Sequence, residues 1–425
     1  MKRLIAKILA YQAKALLAKH KPKILGITGS VGKSSTKEAI AAVLETKFKI
    51  RKSKKSYNSE LGLALAILGL ETAWRSPIGW IKNIVSGFKE IWNKNFPEFL
   101  VLEMGVDRPK DFDSLLKIVK PSIAVITAIG QIPVHVEFFS GPEEVAKEKS
   151  KLVKNLHADG YAILNFDDEI VLEMKNNTRA KVITYGFGEG ANIVASNYKV
   201  SLDGITFKMA YEGSIVPVKL NKVFGKQYIY SILAATAVGV IFNMNLIEIV
   251  QALQNFQPPP GRLREIAGIK QSIILDDSYN ASPLATHAAL DLLSELSVTL
   301  PSGKEGRKIF VFGDMLEIGR FTILAHQAVG EKAAKIADIL ITIGPRSKFT
   351  AGEAMAQGMK AKNVVNFSTS QEAAEFVKNI VKEGDIILVK GSQGIRTEKV
   401  VEELMAHPEE APNLLARQED YWKNK

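Results

Sequence analysis

The chain has 425 residues, 46% hydrophobic and 24% charged, which is the composition of an ordinary globular protein of two or three domains. It contains no cysteine, which excludes disulfides and thiolate metal sites and agrees with a reducing compartment. The net charge of +11 comes from residues 1–57, which contain fifteen Lys and Arg and only two Glu. Because net charge alone supports nucleic-acid binding and no recognition motif accompanies it, we predict no nucleic-acid partner.

Residues 1–19 are predicted to form a basic amphipathic helix, because apolar side chains recur near one face with lysines between them. Lys7 and Lys14 interrupt the apolar run of a signal peptide, and the segment is shorter than the ~20 apolar residues of a membrane span. We therefore expect a cytoplasmic protein. The helix either packs on its own domain or lies on a membrane surface as a peripheral contact.

Apolar strands then alternate with helical stretches, which predicts a parallel sheet covered on both faces. The strands are ILGIT (24–28), FLVLE (99–103), IAVIT (123–127) and YAILN (161–165). Residues 182–220 alternate between polar and apolar side chains, so we expect antiparallel strands at the edge of this sheet. A helical stretch follows over 227–243.

Residues 72–96 mix tryptophans and aliphatic side chains with Arg75, Lys82, Lys89 and Lys94. Such a mixture occurs at membrane interfaces and in partner grooves, and also in core helices with a basic outer face. The sequence leaves these interpretations open.

The proline-rich segment QPPPGR (257–262) is the best candidate for a domain boundary. Beyond it, strands and helices alternate again, which predicts a second doubly wound α/β unit. We predict an α/β protein with a P-loop nucleotide-binding, parallel-sheet domain followed by a Rossmann-like domain. Its parts are an N-terminal helix (1–22), a central ATP-binding domain (23–257), a proline linker (258–262) and a C-terminal domain (263–425).

The segment TGSVGKSST (28–36), between a strand and a helix, carries the sharpest functional signal. Its glycines let the backbone close around phosphate, and the N–H groups at a helix start favour an anion. Lys33 is placed to reach the outer phosphates of a nucleotide, and the Ser34 hydroxyl is placed to hold Mg²⁺. The predicted contacts are Gly29, Ser30, Gly32, Lys33, Ser34 and Ser35.

Polar residues near the ends of other segments add to the candidate site. Glu103 ends a strand, where phosphate-loop enzymes place a Mg²⁺ ligand. Arg262 follows the prolines and is placed to reach across domains to a γ-phosphate. Asp277 and Asn280 follow a strand of the second unit, at the edge where such folds bind ligands. Turn formation is the alternative role for these two residues.

His135 lies in a loop after a strand, and Lys149 lies fourteen residues later on a predicted helix. Taken alone, neither residue points to a function, because a lone histidine is usually structural and a lysine in a charged run is usually solvated.

Together these segments resemble the Mur ligase family from about Lys23 to Leu404. The resemblance rests on an ordered series of motifs: TGSVGKSST, YNSELG (57–62), LEMG (102–105), PPGRLREI (259–266), DDSYNASP (276–283), GDMLEIG (313–319) and VKGSQGIRTEKVVEEL (389–404). It implies an ATP-dependent ligase that joins a carboxylate to an amine through an acyl phosphate, in the synthesis of a cell-wall precursor. The last two motifs favour a member that adds a dipeptide to the tripeptide of a UDP-sugar.

The resemblance also implies roles for single residues around two Mg²⁺ ions. Lys33 and Ser34 bind the β- and γ-phosphates, Glu103 holds the first Mg²⁺ and His135 the second. Lys149 matches a lysine that carries CO₂ as a carbamate. An ammonium beside Mg²⁺ would be repelled, whereas a carbamate supplies the oxygen ligands that a hard cation prefers.

The remaining implied contacts are Arg262 at the γ-phosphate, Asp277 at the ribose, and Asn58 and Asn280 at the nucleotide. The implied substrates are a UDP-sugar peptide and an amino acid or dipeptide, and we expect a monomer.

Three features depart from the family pattern. Some twenty residues precede the nucleotide domain, where the family has a UDP-sugar domain, so we expect that nucleotide to be held otherwise or the acceptor to differ. Gln227, Tyr228 and Ser231 stand where the family has the G-x-H-N-x-x-N helix start near adenine. The loop before His135 is also slightly longer.

Two alternatives remain at this point. One is a folylpolyglutamate synthase-like or other Mur-type amino acid ligase. GDMLEIG and DDSYNASP fit folylpolyglutamate synthase less well than they fit the Mur ligases. The other is a non-catalytic ATP-binding scaffold at a membrane surface. The presence of Lys33, Glu103, His135 and Lys149 together argues against it, because a scaffold does not require all four.

Overall fold

Two β-sheets organise the chain, one on each side of the proline-rich segment. The computed structural model describes residues 2–53, 57 and 59–423. The strands of the first sheet are β1 (Lys23–Thr28), β2 (Ile50–Lys52), β3 (Phe99–Glu103), β4 (Ile123–Ile126), β5 (Tyr161–Asn165), β6 (Lys181–Gly186), β7 (Ile193–Ser201), β8 (Gly204–Tyr211) and β9 (Ser214–Asn221). Those of the second are β10 (Arg264–Ala267), β11 (Ile273–Asp277), β12 (Lys308–Gly313), β13 (Ile339–Ile343), β14 (Val364–Phe367) and β15 (Ile386–Lys390).

Helices cover both sheets. Those before the proline-rich segment are α1 (Lys2–His20), α2 (Lys33–Leu44), α3 (Glu60–Leu68), α4 (Pro77–Ile91), α5 (Asp111–Ile118), α6 (Pro142–Lys154), α7 (Glu169–Leu172), α8 (Gln227–Ile241) and α9 (Leu246–Leu253). Those after it are α10 (Pro283–Glu295), α11 (Thr322–Ile336), α12 (Lys348–Ala356), α13 (Ser370–Ile380), α14 (Glu398–Leu404), α15 (Ala411–Leu414) and α16 (Asp420–Lys423).

The first sheet has the order β2-β3-β1-β4-β5-β6-β7-β8-β9, with β1 between two parallel neighbours. Strands such as β3 and β4 are buried along their whole length, as unbroken apolar runs between two helical layers require. The antiparallel edge predicted over 182–220 is formed by β7, β8 and β9, whereas β6 pairs parallel with β5 and extends the parallel part.

The second sheet has the order β10-β11-β15-β12-β13-β14 and is parallel except for the pair β10–β11. The predicted α/β fold class is confirmed. The domain boundaries stay a prediction, although the two sheets lie on either side of residues 258–262.

Helix α1 buries one face in the core of the first half of the chain. Ile5, Leu9 and Leu16 lie in one apolar cluster with residues of α3 and β3. The face of α1 that contains these three residues therefore packs against the rest of the chain, as one of the two interpretations predicts. Within the described part of the chain, no helix is long and apolar enough to span a bilayer.

Candidate active site

The loop between β1 and α2 has the backbone geometry of a phosphate-binding turn. Gly29 has a φ of 148°, and a Cβ there would lie 2.0 Å from Thr127 Oγ1, so the position requires glycine. Gly32 has a φ of 91° and caps α2. Ser30 and Val31 donate their N–H groups to the Ala128 carbonyl. The backbone N–H groups that can bind an anion are therefore those of the first turn of α2.

Two hydroxyls of this loop are buried without a protein partner in the described residues, namely Thr28 Oγ1 and Ser30 Oγ. A buried, unpaired hydroxyl is costly unless a ligand or water completes its hydrogen bonds. The loop therefore fits the phosphates of a nucleotide, as its sequence predicts.

Lys33 and Lys149 converge on this loop from two helices, α2 and α6. Their Nζ atoms donate to the same acceptor, the Gly29 carbonyl oxygen, at 2.9 and 3.2 Å. Burial, and then the charge of Lys33, lower the pKa of Lys149 to about 7. Burial also lowers the pKa of Lys33, although Glu103 opposes this shift.

Ser34 and Glu103 are also brought together, as the predicted first Mg²⁺ site requires. The Ser34 hydroxyl donates to Glu103 Oε2 at 3.0 Å, and Glu103 is buried at the end of β3. The register that pairs Ile27 with Glu103 sets the carboxylate beside the end of β1, where the loop begins.

His135 lies in the loop after β4 and contacts two carboxylates. Its Nε2 lies 3.4 Å from Asp107 Oδ1, and its Nδ1 lies 2.9 Å from Glu317 Oε2 in the second half of the chain. Asp107 also acts electrostatically on Lys33 and Lys149, raising the pKa of each. Asp107 thus connects His135 to the phosphate loop, and sequence reasoning missed it although it lies two residues after LEMG.

The residues contributed by the second half surround Arg262. Its guanidinium lies over the Tyr279 ring, 4.1 Å from the centroid. Asp277, at the end of β11, accepts a 2.6 Å hydrogen bond from Lys390 at the end of β15, and both side chains are buried. Burial raises the pKa of Asp277 and lowers that of Lys390. Sequence reasoning missed Lys390, which lies inside the motif VKGSQGIR.

Asn280 has a structural role here. Its side-chain oxygen accepts the N–H of Ala281 at 2.9 Å, and its backbone oxygen accepts a hydrogen bond from Lys390. These are the turn contacts that the sequence left as the alternative. The predicted contacts of Asp277 with ribose and of Asn280 with the nucleotide stay predictions. Asn58 lies outside the described residues.

Two cavities meet at the phosphate loop. The larger, of about 1130 Å³, is lined by Ser34, Ser35, Arg262, Asp277 and Lys390. Gln227, Tyr228 and Ser231, which replace the family's G-x-H-N-x-x-N helix start, line the same cavity. The smaller, of about 720 Å³, shares Ser34 and Arg262 with it. The two cavities therefore meet at Ser34 and Arg262.

Trp74 and residues near the C-terminus close one side of the smaller cavity. The ring of Trp74 stacks on that of Tyr421 with centroids 4.2 Å apart. Trp74 and Trp422 both line this cavity, together with Tyr57 and Arg417. The walls of the cavity therefore come from both halves of the chain.

A phosphate loop with a carboxylate beside it, facing a second α/β unit across a shared cleft, defines a nucleotide-dependent enzyme of two α/β domains. Comparison with known families agrees with this class. The Mur ligase middle domain matches residues 27–239, and the Mur ligase, glutamate ligase domain matches residues 261–393. The chain belongs to the Mur ligase family, and the predicted ATP-dependent ligase class is confirmed.

Comparison with individual proteins and solved structures agrees with this family. The chain is 28% identical to the UDP-N-acetylmuramoyl-tripeptide--D-alanyl-D-alanine ligase of Bacillus subtilis, over 93% of this chain and 79% of that protein. The crystal structure of MurF ligase from Thermotoga maritima in complex with ADP has a TM-score of 0.76 and 25% identity, covering 94% and 83% of the two chains. Folylpolyglutamate synthase of Mycobacterium tuberculosis, at 13% identity, a TM-score of 0.64 and coverage of 93% and 95%, shares the fold alone.

Proposed function

We propose that this chain adds D-alanyl-D-alanine to a UDP-N-acetylmuramoyl-tripeptide in peptidoglycan precursor synthesis, with ATP as the energy source. It acts as a monomer in the cytoplasm, where ATP is available. The observation that carries the proposal is the convergence of Lys33 and Lys149 on Gly29, beside the Ser34–Glu103 pair and at the junction of two cavities. Relatives and neighbours named for this reaction support the choice of substrates.

The first step activates the carboxylate of the acceptor, which by itself is a poor acyl donor. A carboxylate oxygen attacks the γ-phosphorus of ATP, and ADP leaves, so the product is an acyl phosphate. Lys33 and Arg262 are the cations placed to offset the negative charge that develops on the transferring group. Arg262 lines both cavities, which suits a group at the point of transfer.

Ser34 and Glu103 would hold Mg²⁺, which would supply further charge neutralisation on the phosphates. Within the described residues, no three His, Asp or Glu side chains form a ready metal site. A second ion near His135 would therefore need oxygen ligands from elsewhere, and a Lys149 carbamate would provide them. The Lys149 ammonium first loses one proton. The neutral amine then bonds to the carbon of CO₂ and releases a second proton, so the charge of this side chain changes from +1 to −1.

The second step forms the amide bond. The amine of the dipeptide attacks the acyl carbon, a tetrahedral intermediate forms, and phosphate leaves with the oxygen that came from the acceptor. Water would hydrolyse the acyl phosphate, so its exclusion matters. The Trp74–Tyr421 stack covers one side of the cavity where this intermediate would lie.

A substrate panel with the purified full chain tests this function. We expect release of ADP and formation of the extended peptide with UDP-N-acetylmuramoyl-tripeptide and D-alanyl-D-alanine, and neither with a folate and glutamate. Turnover only with the second pair would favour the folylpolyglutamate synthase alternative. ATP binding without turnover of any pair would favour the non-catalytic scaffold.

A further inference from the structure

Helix α4 leaves a continuous apolar stripe on the surface. Its members are Ile78, Ile81, Val85, Phe88 and Trp92, each between 49% and 76% exposed. The intervals of three and four residues place them on one face, which is about 21 Å long. The opposite side of α4 is the one that packs, through Trp80 and Gly87. A stripe of this length, on a helix whose other face is already satisfied, points to a partner outside the chain.

Helix α1 lies beside α4 and extends the exposed surface. Gln12 donates to the Ile84 carbonyl at 2.8 Å, and His20 Nε2 lies 3.0 Å from the Ile91 carbonyl oxygen, so the two helices run parallel. The outward face of α1 adds Leu4 and Tyr11, both more than 60% exposed.

The charges around these side chains are of one sign. Lys82 and Lys89 are exposed and follow the stripe along one edge of α4, and Lys19 lies 3.6 Å above the Trp92 ring. Helix α1 contains no acidic residue. The single acidic residue of α4, Glu90, lies about 160° round the helix from the centre of the stripe and pairs with Arg51.

We propose that the outward faces of α1 and α4 dock on an anionic lipid surface. Apolar and aromatic side chains that enter the headgroup region, with lysines that remain at its level, are the features of an interfacial helix. A second copy of the chain would bring the same cations to the contact, and nucleic acid would leave the apolar stripe exposed to water. Because no described helix spans a bilayer, the contact is peripheral.

Vesicle flotation of the full chain tests this docking. We expect binding at low salt to vesicles that contain phosphatidylglycerol, and at least tenfold weaker binding to pure phosphatidylcholine. The variant Lys82→Gln with Lys89→Gln should lower the partition coefficient about 25-fold, because each lysine near an anionic surface contributes about a factor of five. Ile81→Ser with Phe88→Ser should lower it about tenfold or more.

A matched control removes two equally exposed isoleucines from other surfaces, Ile215→Ser with Ile247→Ser, and should bind as the wild type does. Since docking and ligase chemistry use different residues, unchanged ADP release in every variant shows that each one folds. Equal binding to both lipids, or no binding at low salt, would overturn the proposal. So would a dimer in solution that Ile81→Ser with Phe88→Ser dissociates, because the stripe would then be covered by a second copy.

Discussion

Lys33 and Lys149 lie on different helices, yet both donate through Nζ to the backbone oxygen of Gly29, at 2.9 and 3.2 Å. Two buried ammonium groups that share one acceptor repel each other, and the charge of Lys33 is one reason for the lowered pKa of Lys149. A phosphate beside Lys33 and a carbamate on Lys149 would both relieve this repulsion. The pair therefore links nucleotide binding to the modification that we propose.

Replacing Lys33 with alanine tests the phosphate loop. We expect Lys33→Ala to lower ADP release about 10²-fold or more, because the transferring phosphoryl group loses a buried cation. The matched control is Lys47→Ala, which removes a surface lysine paired with Glu248 and should leave the rate unchanged. A Lys33→Ala enzyme that turns over at the rate of the control would show that TGSVGKSST does not bind the reacting phosphates.

Replacing Lys149 tests the carbamate. We expect Lys149→Ala to lose ligase activity and to recover part of it in formate or acetate, because a small carboxylate can supply the missing oxygen ligands. Lys147→Ala provides the control, since Lys147 is exposed on the same helix, and it should be nearly neutral. Full activity of Lys149→Ala without added carboxylate would contradict the role of this residue.

The pKa of Lys149 sets a pH dependence that can be observed directly. Only the neutral amine reacts with CO₂, so at fixed dissolved CO₂ the carbamate should increase as the pH rises through about 7. An ordinary lysine, with its pKa near 10.4, would show this rise about three units higher. The measurement is the carbamate resonance in the ¹³C spectrum of protein equilibrated with ¹³C-labelled bicarbonate. A resonance that is absent at pH 8.5, or that persists in Lys149→Ala, would refute the assignment.

The same shift predicts the direction of a stability change. The pKa of Lys149 is lower in the folded chain than in the unfolded one, so between about pH 7 and 10.5 the unfolded chain binds more protons. The free energy of unfolding should therefore rise with pH across this window in CO₂-free buffer. Urea unfolding of Lys149→Met should show a smaller rise, and an identical rise in both proteins would contradict the shift.

The phosphate loop and Glu103 could be predicted from the sequence, because they lie in local motifs with a fixed position on a strand or helix, whereas Lys149 was predicted only through the family resemblance. The residues that contact these side chains could not be predicted, because they come from distant segments. Lys390 meets Asp277 across 113 positions of the chain, and Glu317 meets His135 only when the two halves pack. Periodicity identified apolar residues in 72–96, but it cannot show which face of α4 is buried. That depends on the packing of α1.

The Asp277–Lys390 pair offers a stability test that is separate from catalysis. Lys390→Met leaves a buried carboxylate without its cation, and we expect it to lower the free energy of unfolding by about 3–5 kcal/mol. The double variant Asp277→Leu with Lys390→Met removes both charges and should be less destabilised than either single variant. Urea unfolding provides the comparison. Additive effects of the two single changes would show that the pair is not coupled.

The central claim is that the chain forms an amide through an acyl phosphate, and the fate of one oxygen atom tests it. UDP-N-acetylmuramoyl-tripeptide is labelled with ¹⁸O in its reacting carboxylate and incubated with ATP, Mg²⁺, D-alanyl-D-alanine and the purified full chain. Mass spectrometry of the released phosphate should show one ¹⁸O per phosphate, because the acceptor oxygen that attacks the γ-phosphorus leaves with it. Unlabelled phosphate released together with the extended peptide would contradict the mechanism, and unlabelled phosphate without peptide would contradict the ligase itself.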